Sequence, residues 1–447
     1  MTISKTLLSS LSQIGDELLQ QNDPVLHNLL LQEYHRQMNS LYMVAASSIA
    51  DPSVLAGGMI ATNVTTEGYP GNRYHAGCKY VDEIENLAID RAKAVFKAQY
   101  ANLQPHSGSS ANQIVLFSLL KPGDTILGME LNSGGHLTHG AKASVTGQYF
   151  CPISYTVNND GWLDYEEILH LARQYQPKLI ICGASSYTRT IHYQKFREIA
   201  DEVGAYLLAD ISHVAGLVVA DAHPSPIDHA HFTTTSTYKQ LFGPRGGLIL
   251  IGKDYEKLGP DNKKTLAETI QKAVFPFFQG TPNLSAIAGK ATMLQRLSTQ
   301  EFKTLAHRIT TNAQALASNL KKMNYKVITG GTDTHMVLVD VHASGVTGLG
   351  AELALEACNI IVNKNKIPGD QANARVTSGI RLGTNVLALR GMGAKEMSQC
   401  AELIHQVISS LKKTDKENYV LDQQIQESVC TQVQQLCNSF PVPNYPF

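Results

Sequence analysis

Charge of one sign is what this 447-residue sequence lacks: 37 Lys and Arg stand against 38 Asp and Glu, for a formal net charge of -1. Such a balance excludes the broad basic field that nucleic acid or an anionic membrane surface selects, so the expected partner is a small molecule. Long apolar runs are missing too. With 43% hydrophobic and 17% charged residues, the chain reads as a soluble globular protein with no membrane span. Cysteine pattern is the third absence. The seven cysteines (78, 151, 182, 358, 400, 430 and 437) are odd in number and never form C-x-x-C. That argues for reduced thiols in a cytoplasmic protein and against both a disulfide framework and a thiolate metal site. The start, Met1-Thr-Ile-Ser-Lys5 with Asp16 and Glu17 soon after, lacks the sequence of basic, apolar and small residues that marks a secretory leader. Internal repeats and low-complexity tracts are absent as well.

The length exceeds what one core usually holds. The expected division is a helical arm over residues 1–52, a large domain over 53–290 and a small α+β domain over 291–447. Within the arm, Leu7, Leu8, Leu11, Ile14, Leu18 and Leu19, then Leu26, Leu29, Leu30 and Tyr34, keep helical spacing, with Asp23-Pro24 as the break. This leucine stripe is a packing face, either for the body or for a second subunit. From about residue 84, helix and strand alternate. Helical spacing covers 84–98, a helix opens near Ser110 with Gln113 as its capping box, and Asp124–Met129, Lys178–Cys182, Ala205–Asp210 and Gly247–Ile251 read as short buried strands. The expected fold is α/β, a mostly parallel sheet covered on both faces, with ligands at the carboxyl ends of its strands. Beyond residue 290, helices near 286–297, 301–323 and 348–358, strand-like segments at 325–328, 335–340 and 360–362, and a long late helix predict the smaller domain. A last helix and an irregular tail ending Tyr445-Pro-Phe447 close the chain.

Several stretches carry chemistry. Hydroxyls crowd around one lysine in His231-Phe-Thr-Thr-Thr-Ser-Thr-Tyr-Lys239, followed by Gly243-Pro-Arg-Gly-Gly247. A lysine of depressed pKa attacks aldehydes, which is how pyridoxal phosphate (PLP) enzymes hold their cofactor. By itself the stretch also fits a Thr-rich loop beside a solvated lysine. Gln104-Pro-His-Ser-Gly-Ser-Ser-Ala-Asn-Gln113 puts hydroxyls and free N–H groups at a helix start, suited to a phosphate or simply to a cap. In Leu131-Asn-Ser-Gly-Gly-His136-Leu-Thr-His139, two glycines let backbone approach a flat ligand and an imidazole can stack on it. The pair His136 and His139 has no further carboxylate or histidine nearby in sequence to support a metal, so none is expected. Asp210 ends a strand and needs a cationic partner, which a protonated pyridine provides. Glu67 offers an acid or base, and Arg381 offers the fork that suits a carboxylate.

The motifs Glu67-Gly-Tyr-Pro-Gly-Asn-Arg-Tyr74, Gln104-Pro-His-Ser-Gly-Ser109, Gly134-Gly-His-Leu-Thr-His-Gly140, Asp210-Ile-Ser-His-Val-Ala-Gly-Leu217, Gly243-Pro-Arg-Gly-Gly247, Val362-Asn-Lys-Asn365 and Thr377-Ser-Gly-Ile-Arg381 occur in order between about residues 40 and 395. The chain thereby resembles the serine hydroxymethyltransferase family, fold-type-I PLP enzymes. The resemblance implies interconversion of serine, or a related β-hydroxy amino acid, and glycine by Cα–Cβ cleavage through a carbanion, with tetrahydrofolate as one-carbon carrier. It makes Lys239 the Schiff-base lysine, Asp210 the partner of the pyridine nitrogen and His136 the group stacked on the ring. Ser107, Gly108 and Ser109 would hold the phosphate, with Gly280 reaching in from a second subunit of a homodimer or dimer of dimers. Ser185 and His213 would lie near the ring oxygen, Arg381 would take the substrate carboxylate, and Glu67, with Tyr74 beside it, would handle protons. Leu131, Gly135, Leu137, Phe275 and Asn365 stand at the family's pterin positions.

Departures from the family gather at the same motifs. A serine that helps hold the substrate carboxylate is Ala46, and a tyrosine that crosses the dimer is Thr65. The second tyrosine of R-Y-Y is His75, the histidine before the lysine is Tyr238, and Gly-Gly has become Phe277-Phe278. These changes suggest a reshaped substrate mouth, with the Tyr238 hydroxyl replacing the phosphate donor lost at Thr65. Two rival functions stay open: a folate-independent aldolase, transaldolase or α-methylserine-type hydroxymethyltransferase, and a catalytically silent PLP-binding regulatory protein.

Overall fold

Asp23 breaks the N-terminal arm by capping: its carboxylate accepts the Leu26 N–H at 3.0 Å, and Pro24 occupies the first helical turn, where its missing N–H costs nothing. The helices on either side are α1 (Leu7–Asn22) and α2 (Pro24–Met38). The computed structural model describes residues 7–414 and 419–446, so the reading of the first five residues and the final Phe447 fall outside it. No residue of α1 is buried, and Leu7, Leu8, Leu11, Ile14 and Leu18 are 45–61% exposed. The leucine stripe therefore does not pack on its own body.

The large sheet has seven strands: β1 (Tyr100–Asn102), β2 (Thr125–Met129), β3 (Cys151–Tyr155), β4 (Leu179–Cys182), β5 (Tyr206–Asp210), β6 (Phe232–Ser236) and β7 (Gly247–Ile251). Their order is β1-β7-β6-β5-β4-β2-β3, with β7 antiparallel to β6 and β1 and the other pairs parallel. Side chains alternate between the faces as a pleated strand requires. Ile180, Leu207 and Leu248 enter one core, while Leu179, Ile181, Leu208 and Ile249 enter the other with Ile114 and Leu116. The α/β expectation holds.

Three features differ from the sequence reading. The Thr-rich stretch before Lys239 is no loop: β6 is buried at every position, inside the sheet, because β-branched threonines suit a strand and the Thr234 and Thr235 hydroxyls find acceptors in Asn112 and the Ser236 carbonyl. Edge strands β1 and β3 were not predicted, β3 because Pro152 breaks the apolar pattern and is tolerated only at an edge. The capping box at Ser110 is corrected as well. Helix α4, after α3 (Lys79–Phe96), spans Gly108–Leu119, and its cap is Ser107, whose Oγ accepts the Ser110 N–H at 3.0 Å.

A second, antiparallel sheet follows helices α5 (Leu284–Leu297) and α6 (Gln300–Lys322). It comprises β8 (Lys326–Val327), β9 (Met336–Asp340), β10 (Asn363–Asn365) and β11 (Gly379–Gly383), in the order β8-β9-β11-β10. Leu41–Tyr42 pairs with Ile360–Ile361, so Leu41 and Met43 join the core beneath this sheet with Val337 and Leu382. Among the described residues, no helix is long and apolar enough to cross a membrane. All seven cysteines are free.

Candidate active site

A cavity of about 260 Å³ opens at the carboxyl ends of the parallel strands. Its floor is polar. His106, Ser107, Gly108 and Ser109 line it from the start of α4, His136 and His139 from the loop after β2, and Ala184 and Ser185 from the loop after β4. Asp210, Ser212 and His213 come from the end of β5, and Ser236, Tyr238, Lys239, Arg245 and Gly246 from the β6–β7 connection.

Asp210 is the best-held group. One carboxylate oxygen accepts from the Ser212 N–H at 3.0 Å and the Ser212 hydroxyl at 2.6 Å; the other accepts from Asn112 at 2.8 Å and His139 at 3.1 Å. His139 Nδ1 faces the His136 N–H at 3.3 Å and so accepts, which leaves Nε2 to donate to Asp210. Burial by itself would raise the Asp210 pKa, but the His139 hydrogen bond and the nearby His139, His136 and Lys239 hold it well below the carboxylate range. The threonines of β6 serve this network: Thr234 donates to Asn112 at 2.5 Å, and Ser212 Oγ accepts the Ser236 N–H at 2.9 Å. Asn112 continues it through Thr138 (2.9 Å) to His136 Nδ1 (2.8 Å).

Lys239 is 7% exposed. Burial lowers its pKa to about 8, against the opposing pull of Asp210, and Arg381 lowers it further. Burial also brings His136 down to about 4, so its imidazole is neutral at physiological pH. Arg381, on β11, is held by Asn363 of β10 at 3.1 Å and by the Ser185 carbonyl, with burial drawing its pKa to about 10. Its other terminal nitrogen has no hydrogen bond among the described residues. His213 lies parallel to His335, ring centres 5.9 Å apart, and burial pushes its pKa far down.

The metal reading needs a correction. Asp210 supplies the carboxylate that the sequence did not place beside the histidine pair, and the three possible ligand atoms lie within 4.8 Å. Both Asp210 oxygens already accept two hydrogen bonds each, which ties the group to its scaffold.

PLP fits what is present. Ser236 Oγ and His213 Nδ1 line the cavity, are buried, and have no partner among the described residues, as unmet groups awaiting a polar ligand do. At the helix start, a Cβ on Gly108 would come within 3.2 Å of the Ser236 N and Cβ and 3.3 Å of Ser212 Oγ, so glycine lets β6 close on the phosphate loop.

Not every predicted site residue reaches this cavity. Glu67, Tyr74, Phe275 and Gly280 form a separate group: a Cβ on Gly280 would lie 3.3 Å from the Glu67 carboxylate, and the Tyr74 and Phe275 rings meet at 5.6 Å. None lines the Lys239 cavity. Leu131 and Leu137 are 47% and 49% exposed on two short turns flanking Gly135, while Asn365 lies on β10. Of the six departures, only Tyr238 lines the cavity, with the Arg245 guanidinium 4.2 Å above its ring. Phe278 packs against Phe117 instead, ring centres 5.8 Å apart. Sequence reasoning missed Asn112, Ser212, Ser236, Arg245 and His335. Only Ser212 had a legible signal, two residues after a strand-end aspartate.

A lysine with lowered pKa, a strand-end aspartate and a helix-start anion site at the edge of a mostly parallel sheet define a fold-type-I PLP-dependent transferase. A family model described as "Serine hydroxymethyltransferase" matches residues 19–404. Curated serine hydroxymethyltransferases from Helicobacter pylori (strain HPAG1) and Erythrobacter litoralis (strain HTCC2594) are 47% and 45% identical, covering 96% and 95% of this chain and 99% and 95% of their own lengths. The chain belongs to the serine hydroxymethyltransferase family.

Proposed function

We propose that this enzyme interconverts serine and glycine with tetrahydrofolate at the Lys239 cavity, and that a second copy of the chain completes each site. One observation carries the reading: a buried lysine of lowered pKa shares a donor-lined cavity with a buried, ionised aspartate.

Bound PLP supplies an aldehyde for an amine and a ring that withdraws electrons from the substrate Cα. Lys239, a neutral amine in usable fraction near pH 8, would hold the cofactor's aldehyde carbon. Asp210, too weak a base to take the ring proton, remains an anion beside it and keeps the ring nitrogen protonated. Neutral His136, fixed through Thr138, offers its face to the ring. Ser107, Gly108 and Ser109 give the phosphate hydroxyls and helix-start N–H groups. Ser185 and His213 would serve the ring oxygen, and Tyr238, with Arg245 over its ring, would meet the phosphate.

Arg381 keeps one terminal nitrogen for the substrate carboxylate, because its other donors are committed to Asn363 and Ser185. Holding the carboxylate there would fix the substrate's orientation and, with it, which bond at Cα is cleaved. Ala46 removes a hydroxyl from this clamp and leaves Arg381 the larger share of it. Glu67 and Tyr74, with Gly280, act in the cavity of the neighbouring subunit, a reading supported by their grouping away from their own Lys239. Exposed Leu131 and Leu137 beside Gly135, with Phe275 and Asn365, would receive the pterin. Seven free cysteines support a cytoplasmic setting.

The test is turnover of serine, α-methylserine and threonine by the PLP-loaded enzyme, with and without tetrahydrofolate. Serine cleavage that depends on the folate supports the proposal. Preference for α-methylserine, or folate-independent cleavage of serine, would establish a rival, and no turnover of any of the three would leave a binding protein.

A further inference from the structure

Lys290, on α5, is a buried lysine with no part in the chemistry above. It is 1% exposed, and its ammonium donates to three carbonyls: Leu103 at 2.6 Å, Gly247 at 3.0 Å and Pro105 at 3.4 Å. Burial brings its pKa down to about 7, opposed by the Glu85 carboxylate. A methionine would fill the same space with no amine to desolvate, so a lysine here calls for a reason.

Its partners supply one. Leu103 and Pro105 lead directly into the anion-binding start of α4, and Gly247 follows Gly246 of the cavity wall. The two segments are in close contact: the Pro105 carbonyl also accepts the Gly247 N–H at 2.9 Å, and a Cβ on Gly247 would meet the Ser107 carbonyl at 2.2 Å. Gln279 clamps the same loop, accepting the His106 N–H at 3.2 Å and donating to the Gln104 carbonyl at 2.9 Å. The loop is thus held by Gln279, by Asn102, which accepts the Gln104 N–H at 3.0 Å, and by Lys290, which also reaches the Gly247 carbonyl of β7.

We propose that Lys290 is a positioning residue for the cofactor phosphate: its side-chain nitrogen gathers the Leu103, Pro105 and Gly247 carbonyls and so ties the Ser107–Gly108–Ser109 helix start to β7. This rests on the PLP reading.

The experiment titrates apo-protein with PLP and, separately, with pyridoxal, which lacks the phosphate, in wild type, Lys290→Met and Lys290→Gln. The quantity read is the ratio of the two affinities. The expected result is a fall of about tenfold or more in the preference for PLP in both variants, because the loop loses its three-carbonyl tie to β7, with pyridoxal affinity within about twofold of wild type. An unchanged preference overturns the proposal, as does failure of both variants to fold by circular dichroism, which assigns Lys290 to the core alone. If wild type itself binds no PLP, the cofactor reading fails first, and the outcome is recognisable as such.

Discussion

Replacing Asp210 by asparagine keeps the shape of the side chain and removes its charge, and the surrounding donors make the consequence calculable. The carboxylate accepts from Ser212 twice on one oxygen and from Asn112 and His139 on the other. Asparagine has a single acceptor oxygen, so its NH2 must point at one of these donor pairs. Asn112 cannot turn its own oxygen to meet it without losing Thr138, whose hydroxyl already donates to His136 Nδ1. One or two buried donors then go unmatched at about 1–3 kcal/mol each, so apo stability should fall by about 1–6 kcal/mol. Catalysis loses more. Breaking a buried ion pair costs about 3–5 kcal/mol, and if that loss falls on the transition state, serine turnover drops by about 10²–10⁴-fold. The assays are urea unfolding of the apo-protein and serine cleavage with tetrahydrofolate. Turnover within about tenfold of wild type would refute the pairing of Asp210 with the ring nitrogen. Intact apo stability would refute the donor conflict.

Three further outcomes are expected. Because Lys239 titrates near 8 and reacts as the neutral amine, the rate of PLP uptake by apo-protein should climb as pH rises through about 8 and then level; a climb deferred towards the ordinary lysine value of 10.5 would mean a solvated side chain. Mixing inactive Lys239→Ala and Glu67→Gln proteins under conditions that allow subunit exchange should restore about a quarter of wild-type activity, since half the pairs are mixed and one site in each is whole; no recovery after verified exchange would place Glu67 with its own Lys239. Tyr238→Phe should weaken PLP binding a few-fold, about 1 kcal/mol for a lost hydroxyl donor, measured by equilibrium dialysis, and unchanged retention would leave the ring over Arg245 as the only role of Tyr238.

Strands built from continuous apolar runs were legible, as Leu179–Cys182 and Gly247–Ile251 were, because a parallel sheet buried on both faces needs nothing else. Phe232–Ser236 was not, since its hydroxyls look solvated until Asn112 and Ser212 arrive from distant positions to partner Thr234 and the Ser236 backbone. Ser107-Gly-Ser-Ser110 offers several caps, and the choice of Ser107 depends on Gly108 fitting against β6, which is a tertiary constraint. Lys239, Asp210, His136 and Arg381 were identified by residue type and motif order. The hydrogen bond from His139 to Asp210, 71 residues away in the chain, was beyond any local signal and left the two histidines looking like an isolated pair. Grouping Glu67 and Tyr74 with Lys239 reflected motif membership, whereas within one chain they cluster with Phe275 and Gly280.

Everything turns on which amine holds the cofactor. Borohydride reduction of the PLP-loaded protein, followed by proteolysis and mass spectrometry, locates it covalently. A single pyridoxyl-phosphate adduct on Lys239, absent from Lys239→Ala, is the predicted result. An adduct on Lys290 or a surface lysine with Lys239 unmodified would contradict the account.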